Sequence, residues 1–289
     1  MHLQLEVASP LKLTSVVTFQ HLLIRTSQTI TSRGSRVAFN DVEFNPSGAS
    51  VYDILLTSVG AVVTQLGVAF SGCIVTPLNG GNPMGAFLGV SKDGFSNGAY
   101  DVSITNSFFG GFTLATPRTF ASVISVGTGN CFSGCSSPVA ISIKGTTFLG
   151  VSPVASSVYG LQVLNSKAVS VTMTGVAMTN LTSGIDFDSS NVSLTLNAAL
   201  FQNNSVGINS HASFADAKPS IFLSNVGFFN NNFAIASNSS FDMNVTSRFV
   251  GSACSLLRFF SYLASSMQQS MLTLLLCVTQ VPSGKTCVC

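Results

Sequence analysis

Tryptophan is absent from this chain, histidine occurs three times, and charged residues fill only 8% of its 289 positions. A typical globular domain is about a quarter charged, so the surface of this protein must be built from other polar groups. Twelve Lys and Arg stand against ten Asp and Glu, spread thinly. That balance excludes the basic stripe needed to track a phosphate backbone, and with it a nucleic-acid partner. The scattered His2, His21 and His211 leave little for a metal centre or a general base. No strand-to-helix turn of the nucleophile-elbow kind is expected either, so no nucleophilic serine is indicated.

Long apolar runs are scarce as well. Two uncharged windows are apolar enough to raise the question of a membrane span, 54–78 and 259–281. Gly60, Gly67, Gly72 and Pro77 break the first, which suits a pair of strands better than a membrane span of about 20 apolar residues. Ser265-Ser-Met-Gln-Gln-Ser270 interrupts the second and leaves only Met271 to Val278, too short to span. No membrane span is therefore expected. No secretory leader pattern opens the chain, because Glu6 falls within Met1 to Pro10 and Leu22-Leu-Ile24 is a short apolar cluster. A coil-like pattern already at Val16-Val-Thr-Phe19 suggests a chain that starts inside a repeat array.

What the sequence does contain is one phrase repeated. Val171-Thr-Met-Thr-Gly-Val-Ala-Met178-Thr-Asn180 is followed by Leu194-Thr-Leu-Asn-Ala-Ala-Leu-Phe201-Gln-Asn203-Asn204 and by Ile221-Phe-Leu-Ser-Asn225-Val-Gly-Phe228-Phe-Asn230-Asn231. Each copy is an alternating strand, a small or amide residue, a bulky apolar residue, then Asn. With the bulky residue as register mark, Phe44, Phe70, Phe109, Phe148 and Phe249 extend the series at steps of 21 to 39 residues. A fixed period of this size without helical spacing marks a stacked β-architecture. Parallel strands about 4.8 Å apart then place like residues in columns. The bulky residues form one inward column, and the Asn residues take left-handed turn geometry and hydrogen-bond between coils. Gly67, Gly145, Gly175 and Ala198 precede the column where the backbone must bend.

The expected fold is all-β: a right-handed single-stranded parallel β-helix, a solenoid of about 8–10 coils, over 1–252. Residues 1–40 are expected to form irregular starting coils, with insertions near 79–100 and 127–138. From Ser252 the pattern changes. Leu256, Leu257, Phe260, Leu263, Ala264, Met267 and Met271 recur at three- and four-residue steps, so 253–289 reads as a short helical cap or tail.

On this phrase the chain resembles the right-handed parallel β-helix proteins of the pectin-lyase-like fold, over about 37–252. Phe201-Gln-Asn-Asn204 and Phe228-Phe-Asn-Asn231 are also similar to repeats of polymorphic outer-membrane autotransporters, whose passengers are adhesive β-helices. These resemblances imply a secreted or cell-surface location and polysaccharide or protein partners.

The chemistry-bearing residues are few. Asp186-Phe-Asp188 is the close acid pair of the regular coils, and period-two spacing puts both carboxylates outward with Phe187 inward. Such a pair serves acid/base hydrolysis or holds Ca2+, although solvated surface acids are the simpler expectation and no cofactor is called for. Asp41-Val-Glu43 repeats the spacing; Asp93 and Asp101 read as turn residues of an insertion, and His211 as an exposed residue in the turn Asn209-Ser-His-Ala-Ser213. Asn-x-Ser/Thr sequons stand at Asn180, Asn191, Asn203, Asn238 and Asn244, candidates for glycosylation in an extracellular protein. Of seven cysteines, Cys131 and Cys135 are spaced for a local disulfide or two free thiols rather than zinc, since no second ligand pair follows. Two functions from different classes remain, a non-catalytic extracellular or cell-surface β-helix that binds glycans or surface proteins, or a divergent polysaccharide lyase or glycoside hydrolase using Asp186 and Asp188; a purely structural spacer is the third option.

Overall fold

The computed structural model describes residues 3–46, 51–57, 65–77, 85–91, 99–112, 121–127, 138–150, 158–164, 166, 168–188, 191–211, 219–237, 242–245, 250–251 and 258–259. Alternating apolar residues make short strands, and each strand pairs in parallel with the equivalent strand of the coils before and after it. Three sheets result. Sheet A has ten strands, from Leu3–Val7 to Val250–Gly251; sheet B has ten, from Leu11–Leu13 to Arg258–Phe259; sheet C has nine, from Val17–Gln20 to Asp242–Val245. The chain visits A, B and C in turn on every coil, and parallel crossovers wind right-handed. The protein is thus a right-handed parallel β-helix, and no helix occurs among the described residues.

The core is a set of columns. On sheet A the inward column runs Ile24, Phe44, Val75, Phe109, Phe148, Met178, Phe201, Phe228, and every member is at most 1% exposed. Phe109 and Phe148 stack at 5.2 Å with planes 8° apart, and Phe201 and Phe228 at 5.0 Å and 10°. Burial of each such side chain contributes roughly 1.5 to 3 kcal/mol before entropy is counted.

One register mark read from the sequence is displaced. Phe70 lies on sheet C, where it follows Phe19 and Phe39 in a second aromatic column, with Phe39 stacked on Phe70 at 5.2 Å. Val75 takes the sheet A position instead. At the other end Gly251 pairs with Phe228, and Phe249 lies outside the described residues. The phrase Val63 to Phe70 copies the alternation of a sheet C strand, and alternation alone does not say which of two neighbouring strands it belongs to.

Among the described residues the corner between sheets C and A repeats: one residue with positive φ, followed from Asp41 onward by one buried residue. His21, Asp41, Gly72, Asn106, Gly145, Gly175, Ala198 and Asn225 hold this left-handed position, with φ between 49° and 64°. Gly72 therefore fills the role expected of Gly67, which instead sits in the strand Gln65–Ser71. The following residues, from Val42 and Cys73 to Ala199 and Val226, are all buried. Where this column is polar it bonds along itself: Ser107 Oγ accepts from Cys73 N at 3.1 Å and Thr146 Oγ1 from Ser107 N at 3.4 Å.

In three consecutive coils the corner between A and B is closed by asparagine. Asn180, Asn203 and Asn230 take φ between 53° and 58°, and the next residue turns inward. Beneath the sheet A rings, sheet B narrows to small residues. A Cβ on Gly184 would lie 2.5 Å from the Phe201 ring, and one on Gly207 the same distance from Phe228.

Residues 3–40 already form regular paired strands rather than irregular coils. The expected insertions lie mostly outside the described residues. So does the expected helical segment, apart from Arg258–Phe259, which extends sheet B. Among the described residues no helix is long and apolar enough to cross a membrane.

Candidate functional site

Sheet B carries a polar cluster that crosses three consecutive coils. Its strands Val158–Leu164, Ser183–Asp188 and Val206–His211 are in register, so Gln162, Asp186 and Asn209 form one column, and Leu164, Asp188 and His211 another. Leu161, Ile185 and Ile208 point into the core beside them, which sends Gln162, Asp186 and Asn209 to the outer face.

Asp186 nevertheless is only 3% exposed. The long side chains above and below close over it. Oδ2 accepts from Gln162 Nε2 at 3.3 Å, and Oδ1 accepts from Asn209 Nδ2 at 2.9 Å. His211 Nε2 lies 3.0 Å from the same Oδ1. A carboxylate only accepts, so Asn209 and His211 converge on one oxygen as two donors, which draws their own side chains into contact. The expectation of a solvated Asp186 is corrected: its carboxylate is buried and engaged by both neighbouring coils. Asp188 holds the ladder position between Leu164 and His211.

His211 is also corrected. It ends the strand Val206–His211 rather than sitting in a turn, because backbone pairing with Asp188 overrides the polar local sequence. Its side chain is 45% exposed. Nearby, burial first and the charge of Asp186 second push the Tyr159 hydroxyl up to about 12, so it stays protonated at neutral pH. A carboxylate holding an imidazole that solvent can reach, beside a protonated phenol, is able to bind a polar ligand and to move a proton. Sequence reasoning missed Tyr159, Gln162 and Asn209. A signal was there: Gly160-Leu-Gln162, Gly184-Ile-Asp186 and Gly207-Ile-Asn209 repeat once per coil.

Sheet C presents a different surface. Its outer face is a grid of short polar side chains, three columns wide. Ala140, Ser170, Ser193 and Ser220 form the first column; Ser103, Ser142, Thr172, Thr195 and Phe222 the second; Thr105, Lys144, Thr174, Asn197 and Ser224 the third. Ser103, Ser142, Ser170, Thr172, Ser193 and Ser220 are exposed. Asp101, expected in a turn, belongs to the strand Ala99–Thr105 and meets Arg36 at 3.8 Å across Gly67. Asp93 lies outside the described residues.

Among the described residues no three of His, Cys, Asp and Glu come together to hold a metal ion. Of the sequons, Asn191, Asn203 and Asn244 are exposed, Asn180 is half-buried in its left-handed corner, and Asn238 lies outside the described residues. Cys131 and Cys135 lie outside them too. Cys73 is a buried free thiol that donates to the Phe39 carbonyl at 3.2 Å, and burial pushes its pKa up. Comparison of the chain with protein-family models, with curated proteins and with solved structures finds no match.

Proposed function

We propose that this protein is a non-catalytic β-helix of the cell exterior, secreted or surface-bound, that binds glycans through the outer face of sheet C. The observation that carries this reading is the grid itself. Hydroxyl and amide groups both donate and accept, as sugar hydroxyls do, and the middle rows from Ser170 to Asn197 carry no formal charge; Lys144 and, at the ends of the first column, Asp101 with Arg36 and Asp242 lie around them. The exposed sequons Asn191, Asn203 and Asn244 suit an extracellular chain. The experiment is a glycan-binding panel with the wild type and a Thr172→Lys/Thr195→Lys variant. Binding lost in the variant is the expected result; binding that the lysines leave intact removes sheet C from the account.

The Asp186–His211 pair favours a second reading, a polysaccharide lyase or glycoside hydrolase. Its mark is release of unsaturated or reducing ends from a polysaccharide panel, abolished in both Asp186→Ala and His211→Gln. Such release would end the non-catalytic reading.

A further inference from the structure

The sheet C face has a property that a sugar-binding groove lacks: it is periodic in two directions. Successive coils repeat it every ~4.8 Å along the solenoid axis, and alternate residues repeat it every ~6.6 Å along each strand. Both repeats are fixed by backbone hydrogen bonding, since Thr172 and Thr195, like Thr174 and Asn197, are partners in one continuous ladder. A rigid grid rewards a partner that is itself ordered on a matching grid, because every further row then makes the same contact in phase.

A single soluble oligosaccharide gains little here. It follows one column, each hydroxyl contact contributes only about 0.5 to 1.5 kcal/mol net, and the chain loses its freedom on landing. Among the described residues no wall of a groove encloses it, since the outward side chains of Ser103, Ser142, Thr172 and Thr195 are short. A crystalline polymer surface has paid no ordering entropy at binding and meets three columns at once, so weak contacts add as in any multivalent attachment. Phe222, half-buried and in line with Thr172 and Thr195 on the same column, adds an aromatic side chain, the type that packs against the C–H side of a pyranose.

We infer that the partner of sheet C is the surface of a crystalline, uncharged polysaccharide rather than a soluble glycan chain. This rests on the glycan-binding reading above and narrows it.

The test is adsorption of the full chain to microcrystalline cellulose and to chitin, beside titration with the soluble hexamers of each. Three proteins are compared: wild type, Thr172→Lys/Thr195→Lys, and Ala177→Lys, which adds a cation on the outer side of sheet A as a charge and folding control. Apparent affinity for at least one solid should exceed that for its hexamer by on the order of a hundredfold, fall at least tenfold in the double variant, and persist in Ala177→Lys. Equal affinity for solid and hexamer overturns this inference and leaves the glycan-binding reading standing. Binding to neither overturns both. Inhibition of ice recrystallisation by the same face, without adsorption to either solid, overturns both in favour of frozen water as the ordered lattice.

Discussion

Asn204 and Met178 are joined across one coil: the Asn204 side-chain amide donates to the Met178 carbonyl at 2.9 Å, while its Oδ1 accepts from Leu181 N at 2.8 Å. Asn231 repeats the arrangement one coil later on Phe201 and on Asn204 N. Both asparagines are buried. Over these coils the corner between sheets A and B is thus a ladder of side-chain amides that satisfies backbone groups which the turn withdraws from the sheets.

Asn204→Ala should destabilise the fold by about 2 to 4 kcal/mol, because it strands a buried N–H and a buried carbonyl together. Asn204→Asp keeps the acceptor, but sets a carboxylate oxygen against the Met178 carbonyl and should do no better. Equilibrium urea unfolding measures both; a loss under about 0.5 kcal/mol for Ala would show that water replaces the amide.

Ala198 carries a side chain at φ 52°, in an exposed corner where the equivalent residues include Gly145, Gly175 and Asn225. A left-handed alanine costs about 1 to 2 kcal/mol that glycine avoids, offset in part by the greater freedom of glycine when unfolded. Ala198→Gly and Ala198→Asn should each raise stability by about 0.5 to 1 kcal/mol. A lower unfolding midpoint in both variants would count against strain at this corner.

Gly184→Ala tests the narrowing of sheet B. The new methyl would meet the Phe201 ring at 2.5 Å and the Gly207 carbonyl at 2.8 Å, so overpacking should cost about 1 to 3 kcal/mol. Adding Phe201→Leu should recover part of the loss. Purely additive destabilisation in the double variant would place the conflict elsewhere.

Asp53 gives the stability a pH dependence. Burial raises its pKa from 3.8 to about 7, against a smaller lowering by the Thr26 hydroxyl, which donates to Oδ1 at 3.0 Å. The folded state thus holds this proton more tightly than the unfolded state. Its contribution is greatest below 3.8 and is lost as pH rises to about 7. The urea midpoint should be higher at pH 5 than at pH 8, and Asp53→Asn should raise it at pH 8 and flatten the slope. An unchanged slope in Asp53→Asn would assign the effect to other groups.

Much of the fold was legible because a column is a sequence pattern seen from the side. Phe109, Phe148, Met178, Phe201 and Phe228 could be read as one stack, and Gly145, Gly175 and Ala198 as its corners. Phe70 misled because its alternating segment matches two neighbouring strands equally well, and only the corner at Gly72 separates them. The cluster around Asp186 was harder. Whether a carboxylate is solvated depends on the length of its neighbours in adjacent coils, and Gln162 and Asn209 lie more than twenty residues away on either side. Reading outward polar residues coil by coil, as the inward ones were read, would have brought them together.

Because the same two residues, one left-handed and one turned inward, close the described corners between C and A from Asp41 to Val226, that edge of the solenoid is a straight seam with no slack over this stretch. Coils differ in length all the same, and over that stretch the difference in residue number falls between strands at the other two edges. Loops can be lengthened or grafted there while the seam holds the pitch of the whole tower.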